Sequence, residues 1–87
     1  MQNHWDVELS FEEDGTHTSC EARLIGQGAP GLSGHGASLR SLADRPAPRI
    51  GEELAAARAL EELCRNLRSQ ANGDINDAAM RPGYLNY

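Results

Sequence analysis

The sequence predicts an α+β domain of the order β-β-β-α, in which one long C-terminal helix packs on one face of a three-stranded antiparallel sheet. Two observations lead to this prediction. Residues 4 to 12 alternate between apolar and polar side chains and are followed by a turn dipeptide, which is typical of the first arm of a hairpin. Residues 51 to 71 repeat apolar side chains at intervals of three and four, which is typical of a helix with one buried face.

The first hairpin is predicted from its strand pattern and its turn together. Asp14-Gly15 is a dipeptide favoured in two-residue turns, and four apolar side chains precede it on one face of the strand. Folding the chain at this turn gives four pairs on that face: Trp5 with Leu24, Val7 with Ala22, Leu9 with Cys20, and Phe11 with Thr18. The opposite face then carries two favourable pairs and one unfavourable pair. These are Asp6 with Arg23, Glu12 with His17, and Glu8 with Glu21.

The second half of the chain is predicted to be a loop, a short strand and a helix. Five glycines and one proline in residues 26 to 36 indicate the loop, and the third strand is expected at about 35 to 41. The helix is expected to end before Gly73, with Glu52 and Glu53 in its first turn and Arg58 paired with Glu62. Its predicted buried stripe consists of Ile50, Leu54, Ala57, Leu60, Leu63, Cys64 and Leu67. Residues 1–76 would form a single domain, and residues 77–87 a flexible C-terminal tail.

Length and composition limit the size of the core and the classes of partner. Eighty-seven residues allow one domain, and the single Trp and single Phe leave an aliphatic, thin core, so a second copy could cover what the chain cannot. The net charge is −5, and all eight basic residues are Arg. This acidic balance opposes non-specific binding to nucleic acids and to anionic membranes.

The cysteine count and the N-terminal residues predict a cytoplasmic location. Two cysteines, Cys20 and Cys64, are too few for a disulfide framework. Residues 1 to 20 contain no apolar run that could act as a signal peptide, and no stretch approaches the length of a membrane span. We therefore expect a reducing compartment and no contact with a membrane.

Six segments together resemble a small bacterial family known only as a domain of unknown function. They are Trp5-Asp6-Val7-Glu8, Ala22-Arg23-Leu24, Gly34-His35-Gly36-Ala37, Ala43-Asp44-Arg45-Pro46, Ile50 to Leu60, and Asp74-Ile75. The resemblance covers residues 4 to 76 and implies a fold like that of the double-stranded-RNA-binding domain. That domain begins with a helix, whereas only four residues precede Trp5, so we expect the fold without its first helix. Such a resemblance implies a fold and does not by itself carry a function.

The glycines of the predicted loop imitate a dinucleotide-binding motif. Gly26, Gly28 and Gly31 spell G-x-G-x-x-G, which in that motif lies between a strand and a helix. Here Pro30 interrupts the run and no helical pattern follows. We interpret the segment as a glycine-rich loop and expect no cofactor.

Other candidate chemical groups lack the arrangement that catalysis or metal binding requires. His17 and Cys20 lie three residues apart on a strand and therefore face opposite sides of the sheet. Cys20 and Cys64 are expected in the core, without a base or an oxyanion site. Four carboxylates share the outer sheet face without a cleft: Asp6, Glu8, Glu12 and Glu21. The sequence therefore predicts no catalytic residue, no metal ligand and no enzyme.

The resemblance makes duplex RNA a partner that the charges can test. In the RNA-binding domain, the loop between the first two strands and the start of the last helix contact the RNA. Here the loop reads Glu-Glu-Asp-Gly at residues 12 to 15, and the helix is expected to open Gly-Glu-Glu at 51 to 53. Three arginines remain as a candidate contact region: Arg40, Arg45 and Arg49. Duplex RNA is thus an unlikely partner, and we expect a non-catalytic interaction or accessory module that binds a protein or a second copy of itself. The alternative is a weak nucleic-acid-associated protein that uses these three arginines.

Overall fold

The computed structural model describes residues 1–39 and 48–79, and its elements follow the predicted order. The three strands form one antiparallel sheet in the order β1-β2-β3, and one long helix follows them in the chain. The elements are β1 (Trp5–Glu13), β2 (His17–Gly26), β3 (Ser33–Leu39) and α1 (Pro48–Ala79). The α+β architecture predicted from the sequence is confirmed.

The turn of the first hairpin lies one residue later than predicted, and the register of β1 against β2 is therefore displaced by two residues. The Asp14 carboxylate accepts hydrogen bonds from the backbone N–H groups of His17 (2.8 Å) and Thr16 (3.2 Å), and the Asp14 N–H donates to the His17 carbonyl (3.1 Å). The tip is thus Gly15-Thr16, with Gly15 at a φ of 97° that suits glycine. Because the displacement is even, every side chain keeps its predicted face.

The predicted pairs across this hairpin are consequently wrong. Leu9 lies opposite Ala22 instead of Cys20, and Cys20 lies opposite Phe11. The other apolar pairs are Val7 with Leu24, and Trp5 with Gly26. On the outer face, Glu8 lies opposite Arg23, Ser10 opposite Glu21, Asp6 opposite Ile25, and Glu12 opposite Ser19. The observed register therefore avoids the pair of facing glutamates that the predicted register required.

The third strand runs from Ser33 to Leu39 and brings small residues to the inner face of the sheet. Gly36 lies opposite Cys20, and Gly34 opposite Ala22. The predicted strand at 35 to 41 overlaps it, and the connection from residue 40 to 47 lies outside the described residues. Since Gly34 and Gly36 lack side chains, α1 can approach the backbone of β3 closely.

The helix is longer than predicted at both ends. It begins at Pro48, where the missing N–H of proline costs no hydrogen bond, so Glu52 and Glu53 lie in the second turn. It continues through Gly73, because a glycine inside a helix costs only about 1 kcal/mol relative to alanine. The Gln70 side-chain amide donates to the Asp74 carboxylate across this region at 3.1 Å. The expected domain boundary after residue 76 falls inside α1, and residues 80–87 of the expected tail lie outside the described residues.

A different stripe of α1 faces the sheet from the one the sequence predicts. The buried helix residues are Ala55, Ala59 and Leu63, spaced by four. They pack against Cys20, Ala22 and Leu24 of β2. Of the predicted stripe, Leu63 is buried and Leu67 partly buried, whereas the remaining members are exposed. The prediction selected the large apolar residues, but the glycines of β3 favour alanine at the closest contact.

Candidate interaction surface

One strand of the sheet presents an apolar face that α1 does not cover. We call this surface the β1 face; it consists of Trp5, Val7, Leu9 and Phe11. These side chains are 45%, 44%, 38% and 39% exposed, although they share a face with Ala22 and Leu24, which are buried. The reason is the position of the helix, which packs on β3 and β2. The sequence places these four residues on the correct face, and the position of α1 leaves them uncovered.

Three hydrogen bonds from α1 to the outer edge of β3 fix the position of the helix. The Arg58 guanidinium donates to the Ala37 carbonyl (2.6 Å), and the Asn66 side chain donates to the Ser33 carbonyl (2.7 Å). The Glu62 carboxylate accepts from the His35 backbone N–H at 3.1 Å. The predicted pairing of Arg58 with Glu62 is thus replaced by bonds from both side chains to β3. These bonds close one edge of the sheet to strand addition.

The other edge of the sheet, that of β1, is open with respect to the described residues. The bond from the Asp14 N–H to the His17 carbonyl fixes the alternation of the β1–β2 ladder. Hydrogen-bonded and non-hydrogen-bonded pairs alternate along this ladder, and the β1 face residues belong to the non-hydrogen-bonded pairs. Their backbone N–H and C=O groups therefore point away from β2. Within residues 1–39 and 48–79, no hydrogen bond covers these outward groups. The apolar β1 face and a free strand edge therefore coincide on one strand.

A second uncovered apolar strip lies on the helix, beside the β1 face. We call it the helix flank; it consists of Ala57, Leu60, Cys64, Leu67 and Ala71. Successive helix residues are separated by 100°, so Leu60 lies on the side of Ala59 away from Arg58 and the β3 edge, and therefore toward β1. Leu67 is partly buried and the other four are exposed, Leu60 by 37%. Leu60 and Leu67 border the β1 face, and the other three residues continue the strip onto the solvent side of α1. We call the β1 face and the helix flank together the groove.

The two cysteines have different surroundings. Cys20 is buried on β2, where burial and then the neighbouring Glu21 charge raise the pKa of its thiol. Cys64 is exposed on the helix flank, so its predicted place in the core is wrong. Both thiols are unpaired.

The outer face of the sheet carries polar groups in open solvent. His35 Nε2 lies 3.2 Å from a Glu21 carboxylate oxygen, and His35 Nδ1 lies 3.8 Å from Glu62 Oε1. The His35 side chain is 64% exposed, and the group sits on a surface without a cleft around a reacting atom. Among the residues that the structure describes, no three side chains of the metal-binding types converge.

The three candidate arginines are only partly placed. Arg49 is exposed in the first turn of α1, and this turn contains no acidic residue, in contrast to the prediction from the sequence. Arg40 and Arg45 lie outside the described residues. Within the described part of the chain, α1 is too polar to serve as a membrane-spanning helix.

Comparison with known proteins places this fold in a family. The model of the Rv2632c-like family matches residues 3–83. The uncharacterized protein Mb1767 of Mycobacterium bovis is 36% identical over 84 residues, which cover 97% of this chain and 88% of Mb1767. The uncharacterized protein Rv2632c of Mycobacterium tuberculosis is 34% identical over 76 residues, which cover 87% of this chain and 81% of Rv2632c.

A solved structure supports the same relationship. The crystal structure of Rv2632c superposes with a TM-score of 0.83 at 30% identity, covering 94% of this chain and 96% of that chain. The chain belongs to the Rv2632c-like family.

Proposed function

We propose that this protein is a non-catalytic interaction module and that the groove, formed by the β1 face and the helix flank, is its contact surface. The observation that carries the proposal is the exposure of four large apolar side chains in a row on β1. An apolar patch of this kind on a soluble domain commonly marks a site of protein–protein contact. The open edge of β1 adds main-chain donors and acceptors that a bound protein can use.

The same observations favour binding over catalysis. The groove is lined by hydrocarbon and one thiol, whereas acid–base or nucleophilic chemistry needs convergent polar groups in a closed site. The polar cluster around His35 lies elsewhere, on the open outer face. We further propose a cytoplasmic location, because two unpaired thiols suit a reducing compartment.

Site-specific photo-crosslinking in the bacterial host tests this proposal. A photoreactive amino acid replaces Val7 in one strain and Glu8 in another. These are consecutive residues of β1 that point to opposite faces of the sheet. We expect covalent protein adducts from position 7 and few from position 8. Equal labelling from the two positions, or labelling from position 8 alone, would show that the β1 face is not the contact surface.

A second candidate is weak association with nucleic acid, and the position of Arg49 favours it. An arginine in the first helical turn adds a cation to the positive end of the helix dipole. The resemblance to the double-stranded-RNA-binding domain points to the same end of the helix as an RNA contact. Against it stand the net charge of −5 and the acidic hairpin turn at residues 12 to 14.

Fluorescence anisotropy with an RNA duplex of about 20 base pairs decides between the two candidates. At physiological salt we expect a Kd weaker than about 10⁻⁴ M, because phosphate contacts dominate such affinities and this surface supplies few. Micromolar binding that is lost when Arg40, Arg45 and Arg49 are changed to Ala would favour the second candidate.

A further inference from the structure

Each copy of this chain has an apolar strand without a helix above it and a helix with an unused apolar flank. We infer that the groove is filled by a second copy of the chain, packed face to face so that each helix flank lies on the β1 face of the partner. This inference rests on the proposed function and names the occupant of the same surface. One contact of this kind covers both uncovered strips of both copies, as expected of an isologous pair.

The fold dictates how the two helices would be oriented. Contacts with Gly36 and then Gly34 follow α1 from Ala55 to Leu63, so the helix runs along β3 and roughly parallel to the strands. In a two-fold symmetric dimer, the helix of the second copy can lie on the β1 face only if the symmetry axis is roughly parallel to the strands and to α1. A two-fold axis along the helices makes them parallel, and each residue of the flank then faces its own equivalent.

The spacing of the helix flank fits a parallel pair of helices. Its members follow one another at intervals of three, four, three and four residues, which is the a/d pattern of a two-stranded coiled coil. Leu60 and Leu67 occupy the d positions. The a positions are occupied by the small residues Ala57, Cys64 and Ala71. The apolar a/d repeat begins at Ala57, because the preceding position of the repeat is occupied by the charged Glu53. This pattern is separate evidence for a second copy, since it repeats on a strip that contributes little to the core.

The exposed apolar area is large enough for the centre of a dimer interface. The β1 face with Leu60 exposes roughly 400 Å² of apolar surface, from its fractional exposures and ordinary side-chain areas. A standard interface of about 800 Å² per partner is a little over half apolar, so this patch can form its centre.

The charges favour contact through this face over pairing of the two β1 edges. Asp6, Glu8 and Glu12 point away from the groove, so a face-to-face dimer keeps them apart in solvent. Direct β1–β1 pairing would place the acidic side chains of two copies on adjacent strands, which is unfavourable. It would also separate the helices and leave the groove open.

Sedimentation equilibrium of the full chain, from micromolar to millimolar concentration, tests the inference. We expect a reversible dimer of twice the monomer mass. Leu60→Glu in the helix flank and Leu9→Glu in the β1 face should each raise the dimer Kd at least about 100-fold, since each substitution acts twice in an isologous contact. The control is Leu39→Glu, which changes an exposed leucine (76%) at the end of β3, the strand farthest from β1, and should leave the Kd unchanged. Far-UV circular dichroism checks that each variant folds.

Oxidative crosslinking of the wild-type chain tests the geometry without any variant that could misfold. In a parallel pair of helices, the two Cys64 thiols face each other, so a mild oxidant should join them as a disulfide, and Cys64→Ser should abolish the product. A chain that stays monomeric at every concentration overturns the inference. A dimer that survives both glutamate substitutions, or that forms no disulfide through Cys64, overturns the proposed packing.

Failure of the dimer can be distinguished from failure of the contact surface. If the photoreactive group at position 7 captures a different protein while the purified chain stays monomeric, the contact surface stands and the second copy is refuted. Adducts made only of this chain support both. If position 7 captures nothing in the host, both are refuted.

Discussion

The close approach of α1 to β3 can be tested by adding one methyl group at Gly36. A Cβ at this position would lie against the Ala59 backbone nitrogen, 2.5 Å from the Ala55 carbonyl oxygen and 2.7 Å from the Arg58 carbonyl carbon. All three neighbours are backbone atoms of α1, so no side-chain rotation can relieve the overlap. The helix must instead move away from the strand.

The size of this movement sets the expected loss of stability. Restoring an ordinary separation of about 3.5 Å requires a shift of about 1 Å, and a gap of that size removes roughly a quarter to a half of the dispersion energy of the contact. Overpacking of a core costs about 1–3 kcal/mol, and a clash with backbone alone belongs at the upper end. We therefore expect Gly36→Ala to lower the free energy of unfolding by about 3 kcal/mol. With an m-value of about 1 kcal/mol/M, the urea midpoint falls by about 3 M.

Urea denaturation at one fixed protein concentration measures this effect, since association would otherwise add to the apparent stability. The matched control is Gly73→Ala, where an added Cβ meets nothing within 4 Å. Inside a helix this change should stabilise the protein by about 0.5–1 kcal/mol. A Gly36→Ala protein within about 1 kcal/mol of the wild type would show that α1 does not pack this closely on β3.

Three further substitution or labelling experiments test separate parts of the structure. Leu63→Ala should lower the free energy of unfolding by about 2–5 kcal/mol in chemical denaturation, because Leu63 is 3% exposed. Leu54→Ala should lower it by under about 1 kcal/mol, because Leu54 is 45% exposed. Equal losses would show that a different side of α1 faces the sheet. The His17 and Thr16 backbone N–H groups lower the pKa of the Asp14 carboxyl, so its stabilising effect is complete above the unfolded-state value of about 3.9 and is lost as the pH falls through the lower folded-state pKa. Asp14→Asn should remove that part of the acid dependence of the thermal midpoint, and an unchanged acid limb would contradict the turn geometry. In dilute native protein a thiol reagent should modify Cys64 quickly and Cys20 only after unfolding, and rapid modification of both would contradict the burial of Cys20.

The order of elements and the faces of the first hairpin could be predicted because alternation and helical periodicity are local properties. Trp5 and Leu24 fall on the predicted face although their partners differ from prediction. The register of β1 against β2 could not be predicted, because two overlapping dipeptides, Asp14-Gly15 and Gly15-Thr16, can each form the tip of the hairpin. The Asp14 side-chain hydrogen bonds select the later one, and sequence patterns contain no measure of their geometry.

The side of the helix that faces the sheet was predicted wrongly for a related reason. Periodicity finds apolar strips, and α1 has two of them: the alanine strip that contains Ala55 and Ala59, and the leucine-bearing helix flank. A ranking by hydrophobicity chooses the flank. The glycines at 34 and 36 are the signal that could have corrected it, since a strand without side chains favours a helix face that is equally small.

The contact surface follows from this second strip and depends on where α1 lies on the sheet. The sequence suggested Arg40, Arg45 and Arg49 as the contact region. Among residues 1–39 and 48–79, nothing pairs with the edge of β1, and side chains of α1 close the edge of β3. The groove is a further candidate surface that no local pattern identifies. The four side chains of the β1 face are exposed because α1 packs on β3 and β2.

The fluorescence of Trp5, the only tryptophan in the chain, reports directly whether a second copy covers the groove. Its indole ring lies on the β1 face and is 45% exposed in the isolated chain. If a second copy covers the groove, emission shifts to longer wavelength and quenching by acrylamide increases as the protein is diluted, and Leu60→Glu shows the diluted behaviour at every concentration. Emission and quenching that are the same at all concentrations and in Leu60→Glu would show that no second copy covers this face.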